Sequence, residues 1–142
     1  MKIYLDTNVY LDYWEDRKDK FKPLGEFAFS LMKETINCRF FVLISEIVIK
    51  ELRNVLFMQK EKIFATILSS LKESGKLVFV DISMEQVHES EKISRQKNIP
   101  KADALHAVLA RDNKAVLVSR DKHHILVKDI VEVMKPEEIL TT

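Results

Sequence analysis

Four carboxylates stand at positions from which they could gather into one site, and Glu51 is the most unusual of them. Asp6 directly follows the apolar run Ile3-Tyr4-Leu5, and Asp121 follows Val116-Leu117-Val118 after Ser119 and Arg120. Glu51 has Ile47, Val48 and Val55 at helical spacing and Leu52 beside it, so a helix there would turn it onto an apolar face. Asp103 lies within Ala102–Ala110, a stretch otherwise small and apolar apart from His106. A carboxylate held where Glu51 is needs a cation, a metal ion or several donors, because an unpaired buried charge is prohibitively costly, and a buried Arg would also satisfy it. Carboxylates without a Cys/His ligand cluster favour a hard, oxygen-preferring ion, Mg²⁺ or Mn²⁺, over zinc. Such a centre can hydrolyse a phosphodiester, since the ion orients the phosphate, lowers the pKa of an attacking water and stabilises the leaving oxygen.

Each position also has a plain structural explanation. Asp6 could simply cap the helix after it, and Asp121 could cap a short helix towards Leu126. Asp103, early in a helix opened by Pro100, would be favoured by the helix dipole alone. Asn8 is ordinary turn chemistry or a neutral oxygen near a metal. Glu46 competes with Glu51 for the helix position, but it sits in the first turn and four residues before Lys50, which explains it without catalysis. Asp81 ends an apolar run just before Ser83 and reads as a turn residue. His123 and His124 are adjacent, so their side chains should diverge, and a solvated loop is the simpler reading.

The elements that must position these groups alternate along the chain. Ile3–Leu5 is a short strand leading into a helix. Pro23 opens a helix whose apolar face is Leu24, Phe27, Ala28, Leu31, Met32 and Thr35. Phe40–Ile44 is continuously apolar, as for a strand covered on both faces, and Ser45 can cap a helix from Glu46 to near Phe57. A helix with Ile63, Ile67, Leu68 and Leu71 on one side ends at Gly75. Strand Leu77–Val80, a capping box at Ser83 and Gln86, a helix to near Lys97, the Pro100 helix, strand Ala115–Val118 and a fifth strand within Ile130–Met134 complete the pattern. This β/α alternation with short connections predicts one domain over residues 1–142, a three-layer α/β/α sandwich with a central, mostly parallel sheet. In such folds the site lies at the carboxyl ends of the strands, which singles out Asp6, Ser45, Asp81, Ser119 and Asp121.

Bulk properties permit a polyanionic substrate without demanding one. The 142 residues hold 23 Lys and Arg against 22 Asp and Glu, a net charge of +1. Acids sequestered in a metal site would leave the remaining surface mildly basic. Cys38 is the only cysteine, which excludes an intramolecular disulfide and a cysteine-based zinc site. No run approaches the ~20 apolar residues of a membrane span, and no signal peptide is evident, so a cytoplasmic protein is expected.

Asp6-Thr7-Asn8, Ser45–Leu52, Ala102–Ala107 and Ser119-Arg120-Asp121-Lys122, in this order and at these distances, resemble the PIN-domain family over essentially the whole chain. The resemblance implies a divalent-metal-dependent endonuclease acting on RNA. Its metal ligands would be Asp6, Glu51, Asp103 and Asp121, supported by Asn8 and by Ser119, which stands where many members carry Thr. Asp6, Asp103 and Asp121 would bind directly, and Glu51 through water or by positioning the nucleophile. Products would carry 5′-phosphate and 3′-hydroxyl ends. Many small members resemble VapC-type toxins, which form homodimers and are held inactive by an antitoxin protein; others process RNA. Arg53, Lys101, Arg120 and Lys122 are candidate phosphate contacts.

Two other functions fit less well. A haloacid-dehalogenase-like phosphatase would use Asp6 as a nucleophile, but those enzymes resemble D-x-D here and Asn8 cannot act as the acid/base. A catalytically idle module binding RNA or protein would not need all four acids.

Overall fold

The amino-terminal apolar run forms β1 (Lys2–Leu5), which stops at Asp6 and passes into α1 (Thr7–Glu15). The computed structural model describes residues 1–15, 34, 35, 37, 39–55, 65, 68, 69 and 71–141. Outside these lie most of the expected Pro23 helix with Leu24, Phe27, Ala28, Leu31 and Met32, the positions of Cys38 and Phe57, and Ile63 and Ile67 of the helix before Gly75. The described chain continues as β2 (Phe41–Ile44), α2 (Glu46–Val55), β3 (Leu77–Phe79), α3 (Met84–Lys97), α4 (Lys101–Asp112), β4 (Val116–Val118), α5 (Lys122–Ile125), β5 (Val133–Met134) and α6 (Pro136–Leu140).

The five strands form one sheet in the order β3-β2-β1-β4-β5, and every pairing is parallel. The chain runs outward from β1 to β2 and β3, then crosses back to β4 and β5 on the other side. Right-handed crossovers place helices connecting strands in opposite directions on opposite faces of the sheet. The result is the expected α/β/α arrangement, with Ile3, Leu5, Val42, Ile44, Leu117 and Val118 buried together with Val48 and Leu52 of α2 and Val108 and Leu109 of α4.

Coverage is uneven across the sheet. Val42, Leu43 and Ile44 are buried as the apolar run suggests, but Phe41 is 39% exposed, and Val78 and Phe79 of the outermost strand β3 are open too. Local signals held: Ser83 and Gln86 cap α3 reciprocally, and Gly75 at φ +75° ends the helical turn before β3. Among the described residues no helix is long and apolar enough to cross a membrane.

Candidate metal centre

Strand register assembles the floor of the site. Leu5 pairs with Val118, so Asp6 and Ser119 emerge side by side from the carboxyl ends of β1 and β4, and the Asp6 amide donates to the Val118 carbonyl at 3.0 Å. This is the point where strand order reverses, where parallel sheets open a crevice. Asp6 is buried, and the Ser119 hydroxyl donates to its Oδ2 at 3.1 Å. Burial pushes the Asp6 carboxyl above the ordinary carboxylate range; His106 and the Ser119 hydrogen bond oppose this, while Glu51 and Asp121 reinforce it.

The walls come from α4 and α5. Pro100 starts α4 with no side-chain cap, and seven consecutive residues, Ala104–Ala110, are buried, so the small side chains let the helix pack closely and project Asp103 from its first turn. Asp121 caps α5 by accepting from the His123 amide at 2.9 Å, and its own amide donates to Ser119 Oγ at 3.0 Å. Capping and site membership thus coincide in one residue. Ligand atoms of Asp103, Asp121 and His124 all lie within 4.8 Å of one another. The Asp103 carboxyl is raised by burial and by its neighbours Asp121 and Asp6, against the pull of His124 and His106.

Two histidines expected in a solvated loop belong to this centre instead. His124 is fully buried, with Nδ1 2.6 Å from Ser119 Oγ and Nε2 3.7 Å from Asp103 Oδ1. Burial lowers its pKa, with Asp103 acting in the opposite sense. His123 Nδ1 sits 3.2 Å from Asp103 Oδ2 and 3.2 Å from Asp121 Oδ1, but is not aligned for a hydrogen bond to either. The adjacent rings do diverge, yet α5 is so short and so close to α4 that both meet the same carboxylates.

Glu51 is joined to the cluster through His106. Its Oε1 lies 2.9 Å from His106 Nε2, His106 Nδ1 lies 2.8 Å from the Tyr4 hydroxyl, and that hydroxyl lies 2.6 Å from Ser45 Oγ. Ser45 therefore serves this buried chain instead of capping α2. The His106 and His124 rings stand 6.2 Å apart. A signal for both was present: His106 follows Asp103 by three residues and His124 follows Asp121 by three, a spacing that puts each pair on one helical face.

The remaining candidates fall elsewhere. Glu46 is exposed and pairs with Lys50 at 3.6 Å. Asp81 is exposed beyond β3, in a groove it shares with Glu46 and Phe79. Asn8 is exposed in α1, and among the described residues no hydrogen bond joins it to the four acids. Arg120 is largely enclosed, with Glu137 at 2.6 Å and Asp12 at 3.7 Å, so it ties α1 to α6 and is not an open phosphate contact. Lys101 and Lys122 are exposed at the first positions of α4 and α5.

The residues present fit a divalent cation. Asp103 and Asp121 converge, among the described residues their ion pairs are to His123 and His124 and not to Lys or Arg, and the buried His124 Nε2 beside them has no hydrogen-bond partner, a group that desolvation would otherwise penalise.

Comparison with known proteins gives a consistent family and fold. The model of the PIN domain matches residues 3–130. No curated protein sequence matches. Among solved structures, VapBC2 from Rickettsia felis bound to a promoter DNA fragment is 22% identical with a TM-score of 0.66, over 95% of this chain and 98% of that one. FitAcB from Neisseria gonorrhoeae is 20% identical with a TM-score of 0.63, over 96% and 99%. A toxin-antitoxin complex from Klebsiella pneumoniae is 17% identical with a TM-score of 0.59, over 94% and 97%.

Proposed function

We propose, because the chain belongs to the PIN domain family by its match over residues 3–130, that it is a divalent-metal-dependent endoribonuclease working at the Asp6, Glu51, Asp103 and Asp121 cleft. The observation that carries this reading is the convergence of Asp103, Asp121 and His124 within 4.8 Å, beside Asp6 at the strand-order reversal. Asp103 and Asp121 would hold Mg²⁺ or Mn²⁺, with Asp6 beneath them and Glu51 at the outer edge. When bound, the ion supplies Lewis-acid stabilisation of the phosphate and a more acidic water.

The chain's own groups do the rest. Ser119 fixes the Asp6 carboxylate by donating to it. His106 fixes Glu51, which is open enough to orient a water. Lys101 and Lys122, beside the two ligand-bearing turns, contact the flanking phosphates. In the reaction, water oxygen bonds to phosphorus, the bond to the 3′-oxygen breaks, and that oxygen takes a proton. One product keeps a 5′-phosphate and the other a 3′-hydroxyl.

An antitoxin partner is supported by the toxin-antitoxin complex among the similar folds, and we include such a partner, a homodimer and a cytoplasmic setting in the proposal. The test is cleavage of single-stranded and structured RNAs by the purified chain with Mg²⁺ or Mn²⁺, beside Asp103→Asn and an EDTA control. Cleavage lost in both controls and leaving 5′-phosphates is expected. Equal cleavage by wild type and Asp103→Asn, or 2′,3′-cyclic phosphate products, would overturn it.

A further inference from the structure

The hydrogen bonds around Ser119 point to one nitrogen of His124 as the bare one. A serine hydroxyl has one hydrogen and two lone pairs. Here the hydrogen goes to Asp6 Oδ2 at 3.1 Å, and one lone pair accepts the Asp121 amide at 3.0 Å. The other lone pair faces His124 Nδ1 at 2.6 Å, so Nδ1 carries the ring hydrogen and donates it. His124 Nε2 is then left with an exposed lone pair inside a fully buried side chain, and it has no hydrogen-bond partner. What it faces is another acceptor, Asp103 Oδ1 at 3.7 Å. Acceptors opposed in a buried gap repel each other unless a proton or a cation lies with them, and the Asp103 main chain beside the ring also favours a positive charge there.

We propose that His124 Nε2 is itself a ligand of the cation held by Asp103 and Asp121, making a mixed nitrogen and oxygen site that favours divalent transition ions over Mg²⁺. The inference rests on the metal-site reading above and goes beyond it. Metal-binding histidines usually donate their second ring N–H to a fixed acceptor, which sets the tautomer and aims the free nitrogen; Ser119 Oγ fills that role. Imidazole suits Fe²⁺, Ni²⁺ and Zn²⁺, whereas Mg²⁺ is held by oxygen ligands and water; Mn²⁺, at the weak end of the transition series, serves as the paramagnetic probe of a bound nitrogen. Ser119 thereby acquires a double duty as a positioning residue, orienting Asp6 through its proton and His124 through its lone pair. His123 provides the control, because it lies next in sequence, touches both carboxylates, and keeps a third of its side chain in solvent.

The test uses the full chain loaded with Mn²⁺. Electron spin-echo spectroscopy reads directly bound nitrogen, and competition between Mn²⁺ and Mg²⁺ reads selectivity. Expected are a bound imidazole nitrogen in wild type, retained in His123→Ala and lost in His124→Gln, with Mn²⁺ affinity falling at least about 10-fold in His124→Gln and Mg²⁺ affinity falling less. In the metal-free protein, ¹⁵N-histidine NMR should show His124 protonated at Nδ1; this reading on wild type does not depend on a variant folding. Mn²⁺ bound without nitrogen coupling, coupling lost in His123→Ala but kept in His124→Gln, an Nε2-protonated His124, or no Mn²⁺ binding would each overturn the proposal. Asp103→Asn separates the two readings: if it binds Mn²⁺ as tightly as wild type, the metal site assumed for the nuclease fails as well.

Discussion

His106 Nε2 lies 2.9 Å from Glu51 Oε1, so the carboxylate on α2 is positioned by a buried histidine of α4 and not by its own helix. An ionised carboxylate only accepts hydrogen bonds, so Nε2 must donate. With the ring neutral, Nδ1 then accepts from the Tyr4 hydroxyl, which in turn accepts from Ser45. One acid at the cleft thus orders a chain of protons reaching beneath the sheet's carboxyl edge. It also joins residues 41 and 102 positions apart in sequence.

Replacing Tyr4 by Phe tests whether that chain has functional weight. The ring is retained, but Ser45 and His106 lose their common partner in a buried place, which costs about 1–3 kcal/mol. Turnover should fall with little change in Mn²⁺ affinity, because Asp103, Asp121 and His124 are untouched. Denaturant unfolding and single-turnover cleavage measure the two effects. Normal turnover in a destabilised variant would reduce the chain to a structural role.

Asp6→Asn should make the metal-free protein more stable while disabling it. Burial holds the Asp6 carboxyl above its ordinary value of 3.8. Its favourable contribution is therefore complete below that value and is lost as pH rises through the higher folded value. Asn removes the charge and still accepts from Ser119. A higher melting temperature at neutral pH is expected, by about 4 °C per kcal/mol gained, with no gain below pH 3.8. A lower melting temperature at neutral pH would mean that Asp6 is compensated without metal.

The choice between the two acids of α2 is separable by substitution. Glu46 is exposed and paired with Lys50 across one turn, a contact worth about 0.3–0.5 kcal/mol. Glu46→Gln should leave cleavage unchanged. Glu51→Gln should lower it at least about 100-fold, on the scale of a lost catalytic acid or base. Reversed outcomes in a cleavage assay would move the site one helical turn.

Periodicity and caps made the layers of this fold legible, because strands and helices announce themselves locally. Asp6, Asp103 and Asp121 could be nominated because each sits at a strand end or helix start, where local sequence and the crevice coincide. What stayed hidden depends on distant pairing. Tyr4 reads as a core aromatic until the register aligns it with Leu43 and Leu117 and turns its hydroxyl towards Ser45 and His106. His124 looked like half of a solvated pair, since the sequence does not reveal how tightly α5 packs against α4. Arg120 beside Asp121 suggested a phosphate contact, because Asp12 and Glu137, which enclose it, are remote in the chain.

Arg120→Ala should therefore act on stability and not on substrate binding. The guanidinium is 14% exposed, its Nη1 donates to Glu137 Oε1 at 2.7 Å, and its Nε lies 3.7 Å from Asp12 Oδ2. Removing it takes the guanidinium away from two enclosed carboxylates, Glu137 and Asp12, which lowers stability as breaking an enclosed ion pair from one side does. Arg120→Lys should recover only part of this, because an ammonium cannot match the planar fork facing Glu137. If Arg120 instead met RNA, KM would rise, the salt dependence of binding would weaken and the unfolding midpoint would stay put. Unfolding curves beside KM at two salt concentrations distinguish the cases, and the geometry here calls for the first: a lower midpoint, an unchanged KM and an unchanged salt slope.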